Sequence, residues 1–220
     1  MGERSVGIPV GEATVHGDLA WPDDCRGVVL FAHGSGSSRH SPRNRHVAAV
    51  LREAGLATLL MDLLTVDEET ADMRTGHLRF DITLLAERLV AATDWLASQA
   101  TRGGQAIGYF GASTGAGAAL VAAAERPDLV RAIVSRGGRP DLAGAALGRV
   151  KAPTLLIVGG RDVPVIGMNR DAMARMRAEV RLEIVPGATH LFEEPGTLEA
   201  VARLARDWFA RHLDRASAAR

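Results

Sequence analysis

One cysteine, Cys25, is all the chain has, so no disulfide can close within it, and a reducing compartment is expected. Lysine is almost absent too: of 26 basic residues all but Lys151 are arginine. Lys151 lies on a loop just before Pro153 and is the sole candidate for lysine-base or Schiff-base chemistry. Charge of one sign is missing, since 26 basic residues balance 26 acidic ones. Proteins that hold nucleic acid or an anionic membrane surface usually carry a net positive field, so neither is expected as a partner. No window reaches the roughly 18 apolar residues of a membrane span. The stretch from Met1 to Val15 lacks the apolar run of a signal peptide. Gly2 has Val6 four positions on, where a myristoylation signal needs Ser or Thr. A cytoplasmic, unanchored protein is the expectation.

What the chain does have is enough apolar sequence for a packed core. Its 220 residues are 47% hydrophobic and 24% charged, which excludes a disordered or collagen-like chain and suits one domain over residues 1–220. Short apolar runs alternate with longer amphipathic ones, the pattern of parallel strands joined by crossover helices. Strands are expected at Gly27 to Ala32, Ala57 to Leu63, Ala106 to Phe110, Val130 to Ser135, Thr154 to Val158 and Val180 to Val185. Most are apolar on consecutive residues, as strands buried on both faces should be. The more polar stretches Val6 to Val15 and His16 to Trp21 read as an antiparallel edge hairpin, which brings the count of expected strands to eight.

Helices fall between them. Ile82, Leu85, Leu89, Ala92 and Leu96 step by three and four and form one stripe. Ser41-Pro42 reads as an N-cap and first helical residue, opening a helix that Gly55 ends. Further helices are expected at Ala116 to Glu125 and Thr197 to Leu213. The segment Leu64 to Arg79 is polar, acid-rich at its start, and reads as a long loop forming a rim over a site.

Gly111-Ala112-Ser113-Thr114-Gly115 fits G-x-S-x-G, and it falls after an apolar strand and before a helix, where a nucleophile elbow requires it. The glycines remove side chains that would clash in so sharp a turn, and the helix N-terminus favours developing negative charge. Taken alone, the five residues would equally suit a plain strand-to-helix turn. His33-Gly34-Ser35-Gly36 ends an earlier strand, where the amide of Ser35 can pair with that of Thr114 as an oxyanion hole. Asp162, in Gly159-Gly160-Arg161-Asp162, and His190, in Pro186-Gly187-Ala188-Thr189-His190, each follow a later strand. The chain order Ser113, Asp162, His190, with each residue just past a strand end, is that of one known triad architecture.

Through HGSGSS at 33–38, GASTG at 111–115, GGRD at 159–162 and GATH at 187–190, the sequence resembles the α/β-hydrolases, and within them the dienelactone hydrolase-like group. The similarity runs over nearly the whole chain. It implies an eight-stranded, mostly parallel sheet flanked by helices, a Ser-His-Asp triad, and neither cofactor nor metal. Dienelactone hydrolases proper use cysteine as nucleophile, whereas position 113 is serine. The expected reaction is therefore hydrolysis of a small ester, lactone or thioester. Carbon–carbon bond hydrolysis and acyl transfer use the same triad, and a non-catalytic binding module on the scaffold is the remaining alternative.

Gly111, Gly115 and Gly117 also spell G-x-x-x-G-x-G, a pattern of some dehydrogenases. That turn would follow the first strand, with an acidic residue about 20 positions on. Here it follows the fifth strand, and the next strand leads to Arg136. The only tyrosine, Tyr109, lies on a strand, so a tyrosine–lysine catalytic pair is missing. A lid domain is also missing, because residues 136–152 alone separate the sixth and seventh strands. A shallow site and a compact substrate are expected. Arg39, Arg43, Arg45, Arg136, Arg139 and Arg161 lie on loops at the reactive edge, and of these Arg39, Arg136 and Arg139 are the leading candidates to bind an anionic group on that substrate. The chain is expected to act as a monomer or homodimer.

Overall fold

The computed structural model describes residues 2–22, 25–99 and 105–214. Strands β1 (Glu3–Val10), β2 (Ala13–Ala20), β3 (Gly27–Ala32), β4 (Ala57–Met61), β5 (Ala106–Ala112), β6 (Val130–Arg136), β7 (Thr154–Gly159) and β8 (Val180–Val185) form one sheet. Their order is β1-β2-β4-β3-β5-β6-β7-β8. β2 is antiparallel to both β1 and β4, and every other neighbouring pair is parallel. This is the α/β-hydrolase fold expected from the sequence.

The edge hairpin turns earlier than its composition suggests. Val10 pairs with Ala13 across a two-residue turn, in which Gly11 takes a φ of 67°. Glycine adopts that conformation without a Cβ penalty, so the chain reverses at Gly11 and not at Val15. Val15 lies inside β2, fully buried opposite Ile8.

Six α-helices are described: α1 (Pro42–Glu53), α2 (Val66–Thr75), α3 (Ile82–Ser98), α4 (Thr114–Glu125), α5 (Val163–Arg175) and α6 (Thr197–Leu213). Alternation along β3 sends Val28 and Leu30 to a core with Leu85, Leu89 and Leu96 of α3 and Leu120 of α4. Val29 and Phe31 face the opposite core with Val47 and Leu51 of α1 and Val201, Ala205 and Trp208 of α6. The apolar stripe read at Ile82 to Leu96 is thus the buried face of α3.

The segment 64–79 is not a loop. Thr65 caps α2, its hydroxyl accepting the Glu68 N–H while the Glu68 carboxylate accepts the Thr65 N–H, and Gly76 ends the helix at φ 67°. Polarity concealed it, because only Asp72 of α2 is buried. Arg88 ties this rim down, donating to Glu68 at 2.6 Å and to the Val10 carbonyl at 3.2 Å. α5 was hidden by Pro164 and Gly167, although its buried Val165, Asn169 and Ala172 keep helical spacing. Between β6 and β7, residues Pro140–Arg149 form a 3-10 segment kinked at Gly144, and no lid domain enters there. Among the described residues, no helix is long and apolar enough to cross a membrane.

Candidate active site

Ser113 joins β5 to α4 with φ 50° and ψ −121°. A non-glycine residue held there costs about 1–3 kcal/mol and persists only where its surroundings impose it. Here they do. The Ser113 N–H donates to the Arg136 carbonyl at 3.3 Å, and the Ser113 carbonyl accepts from Ala116 at 3.1 Å and Arg139 at 3.0 Å. The flanking glycines are steric necessities: a Cβ on Gly115 would lie 2.4 Å from the carbonyl oxygens of Ala32 and His33, and one on Gly111 2.5 Å from the Ala116 Cα.

Ser113 opens on a cavity of about 210 Å³ that His190 also lines. His190 Nδ1 donates to Asp162 Oδ2 at 2.7 Å. Because a carboxylate accepts, Nδ1 carries the proton and the Nε2 lone pair is left free to act as a base. Asp162, largely buried, stands at the entry to α5, directly after β7. The loop holding His190 is shaped by Glu194, which accepts the Thr189 N–H at 3.0 Å, and by buried Phe192 at φ 55°.

The loop after β3 is pinned by His33. Its Nδ1–H donates to the Gly34 carbonyl at 2.9 Å, and its Nε2 accepts the Leu63 N–H at 3.1 Å. Both ring nitrogens are used by the neutral form, and burial holds the pKa below the ordinary histidine value. The Ser35 N–H, expected in an oxyanion hole, donates to the Thr114 hydroxyl at 3.0 Å. The two expected oxyanion residues are therefore adjacent and bonded to each other.

The three expected substrate arginines separate. Arg39 pairs with Asp62 and, at 3.6 Å, with Asp18, and it does not line the Ser113 cavity. Arg139 makes a bidentate pair with Asp141 at 2.9 and 2.7 Å and also lies outside it. Arg136 does line the cavity. Burial, and then the charge of Arg43, pushes its pKa down to about 10. Arg43, another of the reactive-edge arginines, and Asn44, to which sequence reasoning gave no role, line the same cavity from the first turn of α1. The Ser41-Pro42 cap signal was enough to place that turn beside the loop after β3.

A second cavity, of about 270 Å³, lies on the other side of that loop and shares Gly34, Ser35 and Ser37 with the first. Leu64, Glu69, Asp72 and Met73 line it, so the expected rim does border a pocket. Asp72 fixes the rim, accepting from the Leu78 N–H at 2.7 Å and Arg79 Nε at 2.5 Å. Among the described residues no three His, Cys, Asp or Glu side chains gather as a metal site.

Residues 14–215 match the model of the dienelactone hydrolase family. The chain belongs to that family. A crystal structure of dienelactone hydrolase from Anabaena variabilis is 64% identical, with a TM-score of 0.95 over 96% of this chain and 98% of that one. A Mycobacterium tuberculosis H37Rv protein bearing a phosphoribosyl transferase name is 60% identical over 96% of this chain. The match takes in 47% of that protein, so the chain spans about half the length of the curated relatives it matches. Est1E from Butyrivibrio proteoclasticus, 16% identical, has the same fold with a TM-score of 0.77 over 94% of this chain and 98% of that one. Family membership thus agrees with the resemblance read from the four motifs.

Proposed function

We propose that this chain is a serine hydrolase that cleaves a small ester, lactone or thioester through an acyl-enzyme. The observation carrying this reading is a strained serine that shares a cavity with a histidine bonded to a carboxylate. Ser113 Oγ bonds to the acyl carbon while its proton passes to His190 Nε2, and the carbonyl oxygen becomes an oxyanion. Asp162 keeps the imidazole in the tautomer that can accept that proton. As the tetrahedral species collapses, the bond to the leaving oxygen or sulfur breaks, and His190 delivers the proton to it. Water then repeats the sequence on the acyl-enzyme, releasing the acid and restoring Ser113.

The amides of Ser35 and Thr114 receive the oxyanion in this scheme. In the structure the Ser35 N–H is donated to the Thr114 hydroxyl, so in this scheme it exchanges that acceptor for the oxyanion as the substrate carbonyl enters. The chain works as one domain. The test is a panel of short p-nitrophenyl esters, lactones and acyl thioesters, with Ser113→Ala as control. Turnover of at least one class, abolished in the variant, is expected. No Ser113-dependent turnover, together with saturable binding of a small molecule, would instead favour a binding module.

A further inference from the structure

Arg136 is 6% exposed, yet among the described residues no carboxylate lies within ion-pair distance of it. Its one side-chain hydrogen bond is a long one, 3.4 Å to Asn44 Oδ1, and its Nε has no partner. The ring of Phe192 lies 6.0 Å from its guanidinium carbon. An ion pair normally accompanies so deeply buried a cation. Arg136 instead faces a cavity whose lining holds a second guanidinium, Arg43, and no Asp or Glu. Arg43 has an unpartnered Nε, and its single ion pair, 3.2 Å to Glu193, is to a carboxylate 64% exposed to solvent.

The same wall is the start of α1, a twelve-residue helix whose N-cap Ser41 and first-turn Arg43 and Asn44 line the cavity. A helix N-terminus concentrates partial positive charge, and here it coincides with a buried, unneutralised arginine. The Ser37 and Ser41 side chains add hydroxyls to the lining. A dianion suits the pair of guanidiniums better than a carboxylate does: one charge meets the unpaired Arg136, and the second reaches Arg43, whose present partner Glu193 is solvent-exposed and readily displaced. A phosphomonoester supplies up to two charges at neutral pH and three terminal oxygens for these donors.

We propose that Arg136, Arg43 and the first turn of α1 form a subsite for a phosphate group carried by the substrate. This rests on the serine-hydrolase reading above. It narrows the substrate class to short esters or lactones bearing a phosphate a few bonds from the acyl carbon, which suits a cavity of about 210 Å³. Arg136 and Arg43 then determine specificity, and Ser113 and His190 keep the chemistry.

Calorimetric titration of the full chain with inorganic phosphate and with acetate tests the subsite without requiring turnover, and the rate of Ser113 labelling by a fluorophosphonate, with and without phosphate, tests its place. Phosphate should bind at least tenfold more tightly than acetate and slow the labelling. Arg136→Gln should weaken phosphate at least tenfold. Arg43→Gln, at a partly exposed position in the first turn of α1, should weaken it several-fold and carries the test if Arg136→Gln does not fold. Equal affinity for acetate and phosphate, or phosphate binding unchanged in Arg43→Gln, would overturn the proposal. Labelling of Ser113 that phosphate does not slow would remove the subsite and leave the hydrolase reading standing. Arginine-dependent phosphate binding to a chain whose Ser113 is never labelled would remove the hydrolase reading and, with it, the site's role in a substrate.

Discussion

The Ser113 N–H and the Arg136 carbonyl are joined by a 3.3 Å hydrogen bond at the ends of β5 and β6. Ala112 and Arg136 are register partners in that strand pair, so the turn that strains the serine also delivers a buried guanidinium to its side. The strand register that presents Ser113 therefore also sets the charge of its pocket.

If Asp162 orients His190, Asp162→Asn should keep the fold but offer the imidazole an amide that can present a donor, favouring the wrong tautomer. The expected loss in kcat is about 10⁴-fold, with KM changed little. Steady-state kinetics on whichever ester the wild type turns over checks this, and a loss below tenfold would remove Asp162 from the mechanism.

The elbow leaves no room for a methyl group at position 115. Gly115→Ala should destabilise the protein by about 1–3 kcal/mol, because its Cβ would meet two main-chain carbonyl oxygens. Gly167→Ala, on α5 with nothing within 4 Å of the added Cβ, should instead stabilise by about 0.5–1 kcal/mol. Urea unfolding of the two variants should give shifts of opposite sign.

Acid should weaken the fold partly through His33. Its pKa lies below the unfolded value of about 6.5, so between the two values the unfolded chain binds more protons. Its contribution is complete above about pH 6.5 and is lost as pH falls through the folded value. A proton on Nε2 would oppose the Leu63 N–H that this nitrogen accepts. Urea midpoints measured from pH 8 to pH 5 should fall less steeply for His33→Gln than for the wild type. Parallel curves would show that His33 does not contribute to the slope.

The strands and the four motifs were legible because each is a local pattern: consecutive apolar residues such as GVVLFA, or glycines bracketing a serine. α2 escaped because its one buried residue, Asp72, is polar and leaves no apolar stripe to read. The arginines escaped for a different reason. Whether Arg39, Arg136 or Arg139 is free to meet a ligand depends on which carboxylate lies opposite. Asp62 and Asp18 reach Arg39 from separate parts of the chain, whereas among the described residues no carboxylate reaches Arg136. Even the near pair Arg139 and Asp141, two residues apart, could not be told from solvated neighbours until the turn that joins them was known.

The central claim is that Ser113 is the nucleophile, activated by His190 and Asp162. A fluorophosphonate probe with peptide mass spectrometry reads this most directly, using wild type, Ser113→Ala and His190→Ala. The account predicts one modified peptide carrying the probe on Ser113, no label in Ser113→Ala, and labelling at least a hundredfold slower in His190→Ala. Modification of another residue, or no modification of folded wild-type protein, would contradict it.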